Sequence, residues 1–452
     1  MFADDTIVAV ATAPGRGAVG VVRLSGAQVP RIAAAVLGAV PDPRRAVLRT
    51  FRDAEGTALD RGLALYFPAP SSFTGEDVLE LHGHGGPVVL DMLVRHLLEL
   101  GCRAALPGEF SQRAFLNGKI DVAQAEAVAD LIDAASAAAA RAAVRSLQGE
   151  FSAHIRTLQS GLTALRVRVE AAIDFPDEEI PLLEDADIGA RIARLSDAFG
   201  ALRKTAERGA RLVEGLTVVI AGKPNAGKSS LLNRLAGDEV AIVAEAPGTT
   251  RDLLRHQLLE GGIPLHLVDT AGLRAAADEV EAEGIRRARA AIAQADLVLY
   301  VVDAAIGGMA DPRAPAGELI GLAVDVPCTI VLNKIDLLGQ PARAELDALP
   351  PRICLSAKTG AGVDLLRVHL RARAGDFPVD AAPPTARRRH LHALARARAR
   401  LDAAEEARRA TGAAELVAEE LRLAQLALGE ITGEFTSDDL LGEIFASFCI
   451  GK

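Results

Sequence analysis

Apolar and polar positions alternate at strand period through the first quarter of the chain and then give way to helical spacing. Short β-branched runs at Thr6 to Ala11, Val19 to Leu24 and Val78 to His82, separated by Gly/Pro turns, predict strands. Val88 to Leu100 predicts one helix among them, so residues 1–118 read as an α+β domain. From 119 to 210 the texture changes to Ala, Leu, Arg and Glu at helical period, as in Val122 to Leu131, with an acidic, Pro-bounded break at Phe175 to Pro181. Residues 211–376 alternate β-branched strands with helical segments. After Asp380-Ala381-Ala382-Pro383-Pro384 the helical texture returns through His390 to Ala410 and Ala413 to Leu428, so residues 377–452 form the second part of a helical domain. The expected architecture is a multidomain α/β chain, with an α/β domain inserted into a discontinuous helical one.

The inserted segment carries the chemistry. Gly222-Lys223-Pro224-Asn225-Ala226-Gly227-Lys228-Ser229 fits G-x-x-x-x-G-K-[ST], after the apolar run Leu216 to Ala221 and before the helical Ser229 to Leu235. The glycines let backbone N–H groups fold around phosphate oxygens, Lys228 supplies a mobile charge and the Ser229 hydroxyl suits Mg²⁺. Leu265 to Val268 predicts a strand ending in Asp269-Thr270-Ala271-Gly272, which can hold Mg²⁺ through water and report a γ-phosphate through the Gly272 N–H. Gly248-Thr249-Thr250-Arg251-Asp252 lies where a switch threonine on Mg²⁺ belongs, and Thr250 is the candidate. At Asn333-Lys334-Ile335-Asp336 the carboxylate can accept from guanine N1–H and N2–H₂, an acceptor that adenine would leave unpaired, so GTP is favoured over ATP. Ser356-Ala357-Lys358, after Ile353 to Leu355, completes a base pocket. The candidate nucleotide contacts are Asn225 to Ser230 (with Ala226, Gly227 and Ser230 by backbone position), Ala244, Glu245, Ala246, Pro247, Gly248, Thr249 and Thr250. They continue with Asp269, Thr270, Ala271 and Gly272, then Asn333, Lys334 and Asp336, and finally Ser356, Ala357 and Lys358.

Composition narrows the class. At 452 residues, half of them hydrophobic, the chain has material for two or three domains. The acidic start Met1-Phe2-Ala3-Asp4-Asp5 and the lack of an uncharged apolar run near the ~20 residues that span a bilayer point to a cytoplasmic protein without membrane contact. The alanine-rich stretch from Asp133 to Val144 is interrupted by Arg141. Cys102, Cys328, Cys354 and Cys449 are widely separated and lack zinc spacing, so they read as reduced thiols. A net charge of −10 with 3% aromatic residues excludes a general nucleic-acid binder with stacking platforms, so any RNA contact is local. The basic stretch Arg387 to Arg400 reads first as a solvated helix face and second as a phosphate-backbone contact. Only seven lysines stand beside 43 arginines, and among them Lys228, Lys334 and Lys358 belong to the motifs while Lys119 and Lys452 read as ligand contacts.

Further segments are specific. They are Asp5-Thr6-Ile7-Val8-Ala9 with Pro14-Gly15-Arg16-Gly17; Phe73-Thr74-Gly75-Glu76-Asp77 with His82-Gly83-His84-Gly85-Gly86; Pro107-Gly108-Glu109-Phe110 with Ala114 to Lys119; and Cys449-Ile450-Gly451-Lys452. Through them the chain resembles the bacterial and organellar tRNA modification GTPases of the MnmE (TrmE) family over its full length. That resemblance implies a folate-binding amino-terminal α+β domain, a discontinuous α-helical domain and an inserted Ras-like P-loop GTPase domain, assembled as a homodimer. It also implies an MnmG-type FAD protein as partner in a heterotetrameric or larger complex, tRNA as substrate, and a tetrahydrofolate derivative (5-formyl or methylene) as one-carbon source for the aminomethyl-type group on the wobble uridine.

Site roles follow from the same resemblance. Leu273 cannot orient an attacking water as the glutamine of Ras-type enzymes does, and the family's carboxylate corresponds to Glu281, with Glu279 and Glu283 as chemical rivals. Lys228 and Glu281 are the expected catalytic pair. In place of an arginine finger the family binds K⁺, here implied at Asn225, Ala244, Ala246 and Thr249; Ala244 and Ala246 offer only backbone carbonyls, and Asn225 also reads as a structural loop residue. Folate contacts are implied at Arg23, Glu80, Lys119 and Lys452. Cys449 reads equally as a modification thiol or a buried hydrophobe. The alternative function is an Era-like regulatory GTPase that times ribosome or complex assembly.

Overall fold

The first alternating runs become β1 (Ile7–Val10) and β2 (Gly17–Ser25) in the computed structural model, which describes residues 5–174, 186–237, 255–260, 262–269, 292–293, 295–306, 326–375, 382–410, 412–434 and 438–451. Then follow α1 (Val29–Leu37), β3 (Val47–Arg52), β4 (Ala58–Phe67), β5 (Val78–Gly85), α2 (Pro87–Glu99), β6 (Arg103–Ala104) and α3 (Glu109–Leu116). The strands form one sheet in the order β3-β4-β5-β2-β1-β6. Val22, Leu24, Leu79 and Leu81 face a core with Ile32 and Val36 of α1 and Leu93 and Leu97 of α2. Strand alternation therefore sends Arg23 and Glu80, partners across β2 and β5, to the opposite face.

Three helices stand here where the periodicity predicts one. α1 opens on Pro30 in its first turn and ends at Gly38 in the left-handed region. α3 escapes a hydrophobic pattern because it buries Glu109, Ser111 and Arg113 beside Phe110 and Ala114. Those charges are mutually satisfied: Glu109 accepts from Arg103 (2.5 Å), Arg113 (2.9 Å) and the Leu106 N–H (2.8 Å). Burial alone would raise the Glu109 carboxyl, but the Arg103, Leu106 and Arg113 hydrogen bonds outweigh it and hold its pKa below the ordinary value. Arg113 also reaches Asp5 (2.6 Å) and Glu76 (3.1 Å), tying the start of β1 to the Phe73–Asp77 loop.

The helical segment after 119 resolves into α4 (Val122–Ile132), α5 (Ala137–Leu147), α6 (Glu150–Asp174) and α7 (Ala186–Glu214). The Phe175 to Pro181 break lies outside the described residues. Chain contacts group Met1–Ala129, Ser146–Phe199 and His392–Lys452 into one unit, and Asp130–Arg145 with Gly200–Leu391 into a second.

The second unit holds β7 (Leu216–Ala221), α8 (Lys228–Ala236), β8 (Arg255–Glu260), β9 (Ile263–Asp269), β10 (Leu297–Asp303), β11 (Cys328–Asn333), a short 3₁₀ turn at Ile335–Leu338, β12 (Arg343–Glu345), β13 (Arg352–Cys354) and α9 (Val363–Ala374). The seven strands run β12-β13-β11-β10-β7-β9-β8, parallel from β13 to β9 with an antiparallel strand at each edge. Strands buried on both faces explain the near-continuous apolar runs of the sequence. The edge strand β8 is pinned at Glu260, which is 2% exposed and accepts from Arg367 and Arg371 of α9 at 2.8 Å each.

α10 (Arg388–Ala410), α11 (Ala414–Thr432) and α12 (Asp438–Ala446) end the chain. The helical texture of the sequence does not mark α12; its Phe445, with Phe448, packs on Phe115 and Val122 of the first unit. α6 buries Phe151, Ile155, Leu158, Leu162, Leu165 and Val169 at i+3/i+4 spacing, and α11 answers with Val417, Leu421, Ala424, Leu428 and Ile431. The basic stretch is neutralised within each unit: Arg387 pairs with Asp130, Arg388 with Glu214, Arg396 with Glu430, Arg398 with Asp402 and Arg400 with Glu420. Among the described residues no helix is long and apolar enough to cross a membrane.

Candidate functional site

β7 delivers the phosphate-type loop at the carboxyl edge of the parallel sheet, where the ligand crevices of such sheets lie. Gly222 (φ +144°) lies against the Val301 carbonyl and Gly227 (φ +95°) against the Asn333 amide, so a Cβ at either position would collide. Asn225 takes a left-handed conformation (φ +64°) and is exposed, as are Ser229 and Ser230 at the start of α8. Lys228 is 8% exposed, and its Nζ donates to the carbonyls of Gly222 and Lys223 at 2.9 Å each. The loop is thus closed around its own cation, a strong positive centre beside the amino end of a helix.

The base-reading motifs converge on one amide. Asn333 donates from Nδ2 to the Ala226 carbonyl (2.8 Å) and accepts at Oδ1 from the Ala357 N–H (2.9 Å), joining three motifs far apart in sequence. Ser356 is fully buried and its hydroxyl accepts from the Thr359 N–H (3.2 Å), while Lys358 is exposed. Lys334 adopts φ +68°, and its Nζ donates to Asp303 at 2.6 Å. Burial works against charge on Asp303, yet the Lys334 hydrogen bond, the Ala305 N–H and the Lys334 charge hold its pKa below the ordinary value. Asp336 Oδ1 is buried and has no hydrogen-bond partner. An orphaned acceptor of that kind is what a guanine N–H would satisfy.

Sequence reasoning missed two side chains here. Asp303 ends the apolar strand β10 in register with Asn333 at the end of β11, a coincidence of strand ends that two aligned apolar runs already contain. Arg234, at the end of α8, donates to the carbonyls of Ala357 (3.2 Å) and Lys358 (2.8 Å), and nothing local in the sequence marks that. Asp269 closes β9 opposite Ile220 of β7. Ala244 to Thr250, Thr270, Ala271, Gly272, and Glu281 with Glu279 and Glu283 lie outside the described residues.

A second cluster occupies the open face of the first sheet. Arg23 is held by Glu80 Oε1 (2.9 Å) and lies 6.0 Å from the Phe73 ring centroid and 5.8 Å from that of Phe110. Glu80 Oε2 meets His82 Nε2 at 3.1 Å, so both carboxylate oxygens are engaged. The exposed Lys119 side chain passes over Gly75, whose loop is fastened by the Asn117 amide donating to the Thr74 carbonyl (2.7 Å). The chain end comes to the same region: the Gly108 N–H donates to the Cys449 carbonyl (3.4 Å), and Gly451 (φ +94°) abuts Val10 and Ala11 of the β1 end. Cys449 is exposed, so it is not a buried hydrophobe; Lys452 lies outside the described residues. Among the described residues no group of three or more His, Cys, Asp or Glu has metal-binding geometry.

The model of the MnmE helical domain matches residues 122–449, and that of the GTP-binding protein TrmE N-terminus matches residues 6–119. The tRNA modification GTPase MnmE of Methylococcus capsulatus is 58% identical over 452 residues, covering 99% of this chain and 99% of its own. Among solved structures, an Era variant from Aquifex aeolicus bound to GDP and AlF₄⁻ is 25% identical, covering 41% of this chain and 66% of that one, with a TM-score of 0.27. The FeoB G-domain from Methanococcus jannaschii is 24% identical over 35% of this chain and 97% of its own, at a TM-score of 0.25. Overlaps this partial leave the sequence matches to carry the assignment.

Proposed function

The chain belongs to the MnmE family of tRNA modification GTPases, and from that premise we propose that it couples GTP hydrolysis to an aminomethyl or carboxymethylaminomethyl modification of the tRNA wobble uridine. The observation that carries the reading is 58% identity over an alignment that covers 99% of both chains, which includes the segments outside the nucleotide site. An assembly-timing switch would leave residues 6–119, which match the TrmE N-terminus, without a task.

In this proposal Asp336 selects guanine through its orphaned oxygen, Lys334 covers the base, and Lys228 exchanges its two loop carbonyls for phosphate oxygens. That exchange costs little, because each lysine N–H keeps a charged or polar acceptor. Ser229 and Thr250 would hold Mg²⁺, which neutralises phosphate charge when bound, and Asn225 with the Ala244–Thr249 segment would hold K⁺. Glu281 would orient the water, since Leu273 has no polar atom with which to do so. The residue types at the second cluster suit a folate: Lys119 and the terminal Lys452 for an anionic tail, and Arg23 between two aromatic rings for a flat ring system. Because Glu80 is already shared by Arg23 and His82, its part is to orient Arg23 unless the pterin displaces one of them. The division at 118, 210 and 376, homodimerisation and an MnmG-type FAD partner belong to the same proposal.

Mass spectrometry of wobble uridines tests the pathway: cells lacking this protein should carry unmodified wobble uridines, and unchanged modification would remove the assignment. Equilibrium dialysis against a reduced folate tests the second cluster. Saturable binding that the Lys119→Ala protein loses is expected; no binding, or an indifferent variant, would leave the one-carbon step without its donor site.

A further inference from the structure

The seam between α6 and α11 opens on one side into a groove of about 720 Å³ within the first unit. Pairs along it fix the helices antiparallel: Gln159 donates to Glu434 (2.9 Å), Gln425 donates to Thr163 (2.6 Å) and Arg166 donates to Gln425 (2.5 Å). The lining holds three guanidiniums, Arg156, Arg166 and Arg422, against one carboxylate, Glu434, in a chain whose net charge is −10. Each guanidinium has a carboxylate partner outside the lining: Arg156, 55% exposed, meets Asp121 at 3.5 Å, Arg166 meets Glu170 one turn on at 2.9 Å, and Arg422, 47% exposed, meets Glu419 of its own helix at 2.7 Å. Between them stand neutral hydrogen-bonding groups, Gln159, Ser160 and Thr163, and no aromatic ring.

We propose that this groove receives the phosphodiester backbone of the tRNA substrate. The inference rests on the family's action on tRNA and adds a surface for it. Guanidiniums interspersed with amides and hydroxyls are the usual backbone-contacting set, and without an aromatic side chain the groove offers no ring platform for bases. Contact here is therefore positional and sequence-neutral. From Arg156 to Arg166 the α6 face extends about 15 Å at 1.5 Å per residue, a length that follows a stretch of backbone rather than one phosphate. The surface is local, as an acidic chain requires.

The test is fluorescence anisotropy of the full-length protein with an unmodified tRNA transcript at several salt concentrations. Each lost phosphate contact should lower the slope of log K against log[salt] by ~0.9 and weaken binding ~5-fold near physiological salt. Arg156→Gln with Arg422→Gln should thus reduce the slope by about 2 and raise Kd on the order of 30-fold, with GTP turnover unchanged. Gln159→Lys should do the reverse, tightening binding and steepening the slope by about 1, which keeps the inference falsifiable if the double variant fails to fold. Arg45→Gln, an exposed change elsewhere, is the control. Variants that match wild type in Kd and slope, a wild type that binds the transcript without salt dependence, or variants that lose only a protein partner would each overturn the groove. If wobble modification persists in cells carrying the double variant while tRNA affinity is unchanged, the groove falls and the modification function stands.

Discussion

Asp336→Asn is the sharpest perturbation of the nucleotide site, because the change is isosteric and its effect divides between two measurements. In the folded chain Oδ1 is buried with no hydrogen-bond partner, so the substitution removes no bond at that atom and deletes a charge that is poorly compensated. Nucleotide-free stability should therefore stay level or rise slightly. Binding should respond in the opposite sense. In the proposed site the carboxylate would accept from two guanine donors; an amide would keep one acceptor and turn an N–H against the other donor. Loss of one charge-assisted hydrogen bond (~1.5–3 kcal/mol) plus an unsatisfied buried donor (~1–3 kcal/mol) predicts about 2.5–6 kcal/mol. That is roughly 10²- to 10⁴-fold in Kd. Xanthine carries a carbonyl where guanine has its amino group, so the new N–H finds an acceptor and XTP should bind better to the variant than to wild type. Titration with fluorescent GTP and XTP analogues, beside thermal melts of the nucleotide-free proteins, reads both parts. A GTP Kd within about threefold of wild type, or no gain for XTP, would refute the role assigned to that oxygen; an unfolded nucleotide-free variant would refute the claim that Oδ1 serves only ligand.

Asp303→Asn should release Lys334 and weaken GTP and GDP alike by ~10-fold with kcat preserved, the pattern of uniform binding lost; an effect on kcat alone would place Asp303 elsewhere in the reaction. Acid stability should follow Glu109 and Asp5, whose folded pKa values are lowered: their contribution is complete above the unfolded values of about 4.3 and 3.9 and is lost as pH falls through the folded ones. Glu109→Gln should flatten that acid limb and lower stability near pH 7 by about 1.5–3 kcal/mol in denaturant titrations, the loss of one charge-assisted partner, because Arg113 keeps Asp5 and Glu76; an unchanged limb would show that the network does not govern it. Turnover should rise when K⁺ replaces Na⁺ at constant ionic strength, and Asn225→Ala should abolish the difference while nearly preserving nucleotide affinity; equal rates in both salts would remove the ion site. Glu281→Ala should lower kcat by a factor on the order of 10² with GTP affinity intact, and Glu279→Ala and Glu283→Ala should remain active, whereas a dead Glu279→Ala beside an active Glu281→Ala would reassign the water to the rival.

How much of the molecule is legible in its sequence follows from how far each interaction reaches along the chain. The strand before Gly222, the helix after it and the strands leading to Asn333 and Ser356 are local patterns, so their existence and order are readable, and the folded elements agree with them to within two residues at each end. The same patterns are silent where polar groups are inside: α3 buries Glu109 and Arg113, and hydrophobic periodicity has no term for charges that satisfy one another. Arg234 is invisible for a different reason, since its partners are backbone carbonyls more than a hundred residues away whose identity leaves no trace in sequence. Asp303 lies between these cases. Its role depends on register, and register in a parallel sheet is fixed by apolar runs that can be aligned by eye: Leu297 to Val302 against Cys328 to Leu332 puts Asp303 level with Asn333, one residue from Lys334. A carboxylate at the carboxyl end of a buried strand, level with a base-reading lysine, is thus a positional signal that the residue order itself carries. Where such a strand end instead carries an apolar residue, Lys334-type side chains must find their acceptor in the ligand, and affinity should become more dependent on the nucleotide's own ribose and phosphate contacts.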